Sequence, residues 1–213
     1  MIKGVFFDLD GTLIKSMHHH HKGWKNVLSK NNIHLDKQYF YLNEGIKLEN
    51  LIRNLYIKHK KKFNNKILKK LIDEKDNHFR LNAKIYFYNG VKSLIKNLHK
   101  EHIYLAMVTA GTKKRVFKTL PIKFINYFDK IITGSDCKYG KPHPEPYLKA
   151  LSFSKLKKNN CLVVENAPLG IKSAKSAGLK TIAITNTLES TSLQSSDFIV
   201  NSISELKNKL LNF

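Results

Sequence analysis

The chain has 213 residues, 42% of them apolar, and a formal net charge of +22 from 38 Lys and Arg against 16 Asp and Glu. That length allows one sizeable domain, or one domain with a smaller insert, and the apolar share is enough to build a core. No apolar run reaches the roughly 18 residues of a membrane-spanning helix, and two distant cysteines, Cys137 and Cys161, argue against a disulfide framework.

The first element is an apolar run, Ile2–Phe7, that reads as a buried strand. It ends in Asp8-Leu9-Asp10-Gly11-Thr12-Leu13. Carboxylates at the C-terminal end of a buried strand sit where open α/β sheets bind ligands. Two of them there need a partner, because unpaired buried charge is costly. Oxygen ligands suit Mg²⁺.

Residues 15 to about 82 contain no convincing strand. Apolar residues fall instead at helical spacing in Trp24-Val27-Leu28, Leu48-Leu51-Ile52-Leu55 and Ile67-Leu68-Leu71-Ile72. The segment reads as an insert of about four helices. Its run His18–His21 points to several faces of a helix, so the four rings cannot share one metal. Beyond it, strand-like runs recur at Ile103–Val108, Ile131–Thr133, Cys161–Val164, Thr181–Ile184 and Phe198–Val200. Helical patterns lie between them, including Val91–His99, Pro144–Leu151 and Leu169–Ala177, with Gly178 placed as a C-cap. This alternation predicts an α/β fold: a Rossmann-like parallel sheet with helices on both faces. The expected division is a core of residues 1–14 and 83–213 and a helical insert of residues 15–82.

Three further segments carry chemistry-bearing residues. Met107-Val108-Thr109-Ala110-Gly111 closes the second strand, and its Thr also suits a helix N-cap. Gly140-Lys141-Pro142-His143-Pro144-Glu145-Pro146-Tyr147-Leu148 places a Lys in a stretch stiffened by prolines. Val163-Val164-Glu165-Asn166-Ala167-Pro168-Leu169-Gly170 ends the fourth strand in polar residues.

Taken in order, these four segments resemble the motifs of the haloacid dehalogenase superfamily along nearly the whole chain. The first matches its DxDGT[LV] signature. The resemblance implies a Mg²⁺-dependent phosphatase or phosphomutase that passes through an aspartyl-phosphate. Asp8 would be the nucleophile and Asp10 the general acid and base. Thr109 would hydrogen-bond the phosphoryl group, with the backbone at Ala110 and Gly111 beside it. Lys141 would neutralise charge on the nucleophile and the phosphoryl oxygens. Asp8, Asp10, Glu165 and Asn166 would hold the metal. Asn166 stands where an Asp is expected and brings no charge, so Glu165 is read as supplying it. Dehalogenation in the family needs neither a metal nor the second Asp, so Asp10 with Glu165 favours phosphoryl transfer.

Within the superfamily the resemblance is to the β-phosphoglucomutase-like group, whose insert is a four-helix cap. That group has a DSxxxHxxxW pattern entering the cap. Lys15-Ser16-Met17-His18-His19-His20-His21-Lys22-Gly23-Trp24 fits it at His20 and Trp24, with Lys15 in place of the Asp. Asn43-Glu44-Gly45-Ile46-Lys47 retains the Gly of the group's specificity loop. His20, Trp24, Gly45, Lys47, Ala110 and Gly111 are therefore the candidate substrate contacts. Cations that would hold a second phosphate are out of register, and Glu44 is an unfavourable neighbour for one. The expected activity is hydrolysis of a small phosphorylated metabolite, with a sugar phosphate as the leading class. A phosphosugar mutase and an inactive binding module are the alternatives.

The lysines are spread along the chain, with one dense cluster at Lys58-His59-Lys60-Lys61-Lys62. The excess charge is read as compositional, so nucleic acid is not an expected partner, although anionic substrates would feel the field. A strand so close to the N-terminus, with charge soon after it, predicts no secretory leader. Two separated cysteines fit reduced thiols in the cytoplasm. A monomer is expected.

Overall fold

A computed structural model describes the backbone of residues 1–213 and every side chain except that of Arg80. Six strands form one sheet: β1 (Gly4–Phe7), β2 (Tyr104–Val108), β3 (Lys130–Ile132), β4 (Cys161–Glu165), β5 (Lys180–Ile184) and β6 (Phe198–Val200). Their order is β3-β2-β1-β4-β5-β6, and every pairing is parallel. This is the doubly wound order, and its switch point lies between β1 and β4.

Sequence alternation explains why the sheet is covered on both sides. Successive side chains of a strand point to opposite faces. Val5 and Phe7 enter one apolar layer with Leu105, Met107 and Val164. Phe6 enters the other with Ala106, Val108 and Val163. The first layer is completed by α5 (Val91–Lys100) and α10 (Ile203–Leu211), the second by α8 (Glu145–Ser154) and α9 (Pro168–Ser176). Phe6 and Phe7 are fully buried, each contributing about 1.5–3 kcal/mol. Gly178 has φ +76°, the left-handed C-cap expected after α9.

Between β1 and β2 the chain forms four helices: α1 (Met17–Ser29), α2 (Lys37–Leu42), α3 (Leu48–Lys58) and α4 (Asn65–Asn82). They hold an apolar cluster of their own, including Trp24, Leu28, Ile52, Leu55 and Leu71. α1 packs along α4. Ser16 occupies the N-cap of α1 but makes no cap bond, because its hydroxyl donates to Asp10.

Two short helices, α6 (Lys113–Thr119) and α7 (Ile122–Ile125), connect β2 to β3. Neither they nor α10 belong to the helices read from the sequence. β1 begins at Gly4 instead of Ile2, while Lys3 reaches Asn160 through its backbone. No helix among the described residues is long and apolar enough to cross a membrane.

Candidate active site

Parallel register brings the polar strand ends together. Phe7 lies level with Met107 on one side and Val164 on the other. By the same register Asp8 stands level with Val108 and Glu165, and Thr109 follows one residue on, so all three polar residues lie at the C-terminal edge of the sheet. Gly11 turns the chain away with φ +84°, a conformation that disfavours any side chain, and a Cβ there would also meet Asn166.

Lys141 is the centre of the charge arrangement. It is 3% exposed. Its ammonium donates to Asp8 Oδ1 at 2.7 Å, to Glu165 Oε1 at 2.5 Å and to the Val108 carbonyl at 3.3 Å. Burial works against its charge, but Asp8 and Glu165 outweigh it and hold its pKa well above the usual lysine range. Burial pushes Asp8 up to about 7; Lys141 opposes that rise, while Glu165 and Asp10 add to it. Asp8 Oδ2 is buried with no hydrogen-bond partner.

Glu165 is held at both oxygens. Oε1 accepts from Lys141 and from the Tyr147 hydroxyl at 2.7 Å. Oε2 accepts from the backbone of Asn166 at 3.0 Å and Ala167 at 3.3 Å, at the start of α9. This carboxylate orients Lys141 and caps a helix. Its saturation explains the buried Tyr147, whose place in the proline-rich segment gave no hint of it.

Asp10 is held from four sides. Ser16 donates to Oδ1 at 2.6 Å, and His20 Nε2 lies 3.2 Å from the same oxygen. Arg115 donates to Oδ2 at 2.5 Å and to Oδ1 at 3.0 Å. Thr109 donates to Oδ2 at 3.4 Å while accepting from the Gly111 backbone at 3.0 Å. Burial raises the Asp10 pKa, but Arg115 and His20 more than reverse this and hold it well below the carboxylate range. Burial and the nearby Lys75 push His20 down to about 4, so its ring is neutral at pH 7. That ring stacks on Phe79 with centroids 4.5 Å apart.

A cavity of about 140 Å³ opens over these groups. Asp8, Asp10, His20, Trp24, Gly45, Ala110 and Gly111 line it, as the sequence reading anticipates. Arg115 and Glu44 line it too and were not read as part of the site. Lys47 does not line it, because its ammonium donates to the Cys137 carbonyl at 2.9 Å. Asn166 accepts from Thr12 at 2.8 Å and donates through Nδ2 to Glu44 at 2.7 Å and Thr187 at 2.9 Å. A larger groove of about 640 Å³ near Tyr86–Gly90 has no carboxylate or histidine on its walls, so the smaller cavity carries the chemistry.

A legible trace of Arg115 does exist. The chain has only three arginines, Arg53, Arg80 and Arg115, in a basic complement of 38. Where lysine is the default, an arginine marks a need for a two-pronged contact with a carboxylate.

A sequence profile of haloacid dehalogenase-like hydrolases matches residues 5–184. Validoxylamine A 7'-phosphate phosphatase of Streptomyces hygroscopicus subsp. limoneus is 26% identical over 210 residues, covering 97% of each chain. The β-phosphoglucomutase of Bacillus subtilis is 24% identical over 218 residues, covering 99% of this chain and 94% of its own. A Bacteroides vulgatus structure provisionally assigned as a β-phosphoglucomutase superposes with a TM-score of 0.89 at 28% identity, covering 99% of this chain and 88% of the other. With the motif residues gathered at one sheet edge and the profile spanning most of its length, this chain belongs to the haloacid dehalogenase-like hydrolase family, in its β-phosphoglucomutase-like group.

Proposed function

We propose that this protein is a Mg²⁺-dependent phosphatase of a small phosphorylated metabolite, with a sugar phosphate as the leading class. The observation that carries the reading is Lys141 bridging Asp8 and Glu165 beside Asp10 at the switch point of the sheet. A phosphatase relative along the full length supports the class of reaction. The small cavity suits a metabolite and not a polymer.

The site fits a divalent cation by its chemistry. Asp8 Oδ2 is a buried carboxylate oxygen without a partner. That free oxygen is a donor of the kind that suits Mg²⁺, while the side-chain oxygens of Asp10 and Asn166 beside it are engaged by other donors. Among the described residues no three His, Cys, Asp or Glu side chains are grouped to hold a metal alone, in keeping with an ion that retains several waters and takes one or two carboxylates. When bound, Mg²⁺ would neutralise charge on the phosphoryl oxygens and keep Asp8 ionised at neutral pH.

Asp8 attacks phosphorus, forming an O–P bond as the bond to the leaving oxygen breaks. Asp10 delivers a proton to that oxygen. Asp10 then takes a proton from water as the water attacks phosphorus, releasing phosphate and restoring Asp8. Lys141 and the Thr109–Gly111 segment hold charge on the equatorial oxygens. Asp10 cannot carry a proton while Arg115 grips it, so a substrate anion that draws Arg115 away also frees the acid. The four-helix insert of residues 15–82 acts as the cap that excludes bulk water.

A phosphatase is favoured over a mutase because Lys47 is turned to Cys137. The test is phosphate release from a panel of sugar phosphates, nucleotides and phosphoglycolate with Mg²⁺. A second arm supplies β-glucose 1-phosphate with a bisphosphate primer. Release from one or more sugar phosphates supports the reading. Isomerisation without release makes the protein a mutase. Silence in both arms with salt-sensitive nucleic-acid retention makes it a binding module.

A further inference from the structure

Asn166 and Glu44 are paired in a way that neither explains alone. Asn166 ends the fourth strand, where its amide adds no charge. Its oxygen accepts from Thr12 at 2.8 Å, which turns its NH2 group outward. There it meets Glu44 Oε2 at 2.7 Å and Thr187 at 2.9 Å. A carboxylate at that distance requires a donor, so Glu44 itself fixes which end of the amide faces it. An Asp at 166 would place two carboxylates against each other.

Glu44 comes from the loop between α2 and α3, 122 residues away in the chain. The loop is pressed hard against the core. Gly45 has φ +90°, and a Cβ there would run into the Lys141 side chain. Glu44 and Asp8 line one cavity of about 140 Å³. Among the described residues Glu44 Oε1 takes no hydrogen bond. Asp8 is 4% exposed, and its Oδ2 is buried and unpartnered. Two carboxylates lining so small a cavity must be neutralised, by protons or by a cation between them. Glu165 cannot supply either oxygen, being held at both.

We propose that Glu44 provides the carboxylate that position 166 lacks, delivering it from the inserted helices to the cation beside Asp8. The inference rests on the Mg²⁺ reading above. It moves one ligand charge from the sheet edge to a separate layer of the protein. Cation affinity then depends on that layer being seated on the core, so substrate closure and metal retention are linked.

The test is Mn²⁺ binding, read by the EPR signal of the free ion, on four folded full-length proteins: wild type, Glu44→Gln, Asn166→Asp and the double variant. Gln keeps the size of Glu44 and its hydrogen bond to Asn166, and thermal melts check the fold. The expected result is affinity weakened at least about tenfold in Glu44→Gln, and recovered in the double variant, where the charge has been returned to the strand end. Wild-type affinity in Glu44→Gln would overturn the inference while leaving the metal reading intact. Failure of the wild type to bind Mn²⁺ would overturn both.

Discussion

Arg115 holds Asp10 with both terminal nitrogens, Nη2 donating to Oδ2 at 2.5 Å and Nη1 to Oδ1 at 3.0 Å. The pair joins the start of α6 to the loop after β1, so it fixes the second carboxylate of the site from across the sheet edge. It also fixes that carboxylate in its ionised form. Arg115→Leu removes the largest of the influences that lower the Asp10 pKa, leaving burial to raise it. A carboxylate with a depressed pKa adds stability above its unfolded pKa near 3.8 and loses it as pH falls through the folded value. The variant is therefore expected to lose about 2–3 kcal/mol at pH 7, with the gap to wild type closing below about pH 4. Denaturant melts across that range check it. A gap that does not change with pH would place the role of Arg115 in packing alone.

Asp8 behaves in the opposite sense. Its pKa is raised from 3.8 to about 7. Its contribution is fully present below pH 3.8 and is lost as pH rises through about 7, where the buried charge must form. Asp8→Asn removes that burden together with the bond from Lys141. Melts in EDTA at pH 8 are expected to show the variant no less stable than wild type. A clear drop would mean that the Lys141–Asp8 bond outweighs the cost of burying the charge.

Gly170 lies on α9 directly over Glu165, and a Cβ there would land on the carboxylate. Gly170→Ala is expected to displace Glu165, cost about 1–3 kcal/mol and lower kcat by freeing Lys141. Tyr147→Phe removes the other clamp on Glu165 and is expected to cost about 1.5–3 kcal/mol. Both should change kcat more than KM, since neither residue lines the cavity over Asp8. A change confined to KM would contradict the positioning role.

Lys47 supplies a contrast. Its ammonium is on the Cys137 carbonyl, so Lys47→Met is expected to leave KM within about threefold of wild type. A large rise in KM would show that this ammonium turns toward the substrate during turnover.

The strand ends were the legible part of this protein. An apolar run that stops at a carboxylate marks both a buried strand and a ligand edge, which is how Asp8 and Asp10 were read, whereas Thr109 and Lys141 joined them only through the resemblance of their segments to the family's motifs. The helices after them were harder. α6 and α7 are short and interrupted by Pro121, so neither shows a full turn of periodic apolar residues. α10 did carry a readable start, with the Ser202 side chain accepting from the Glu205 backbone and Ile203, Leu206 and Leu210 at helical spacing. Arg115 left only the trace of a rare arginine and Glu44 left none, because what matters is which distant carboxylate or amide each one meets. The hydrogen bond from the Tyr147 hydroxyl to Glu165 was not legible either, since local sequence does not say that the two residues meet.

Phosphate release from the best substrate of the panel, compared in Mg²⁺, in EDTA and with Asp8→Asn, tests the central claim most directly. The account predicts turnover that requires Mg²⁺ and falls by about 10⁴-fold or more in Asp8→Asn. Release that survives in Asp8→Asn, or that is indifferent to EDTA, would contradict it.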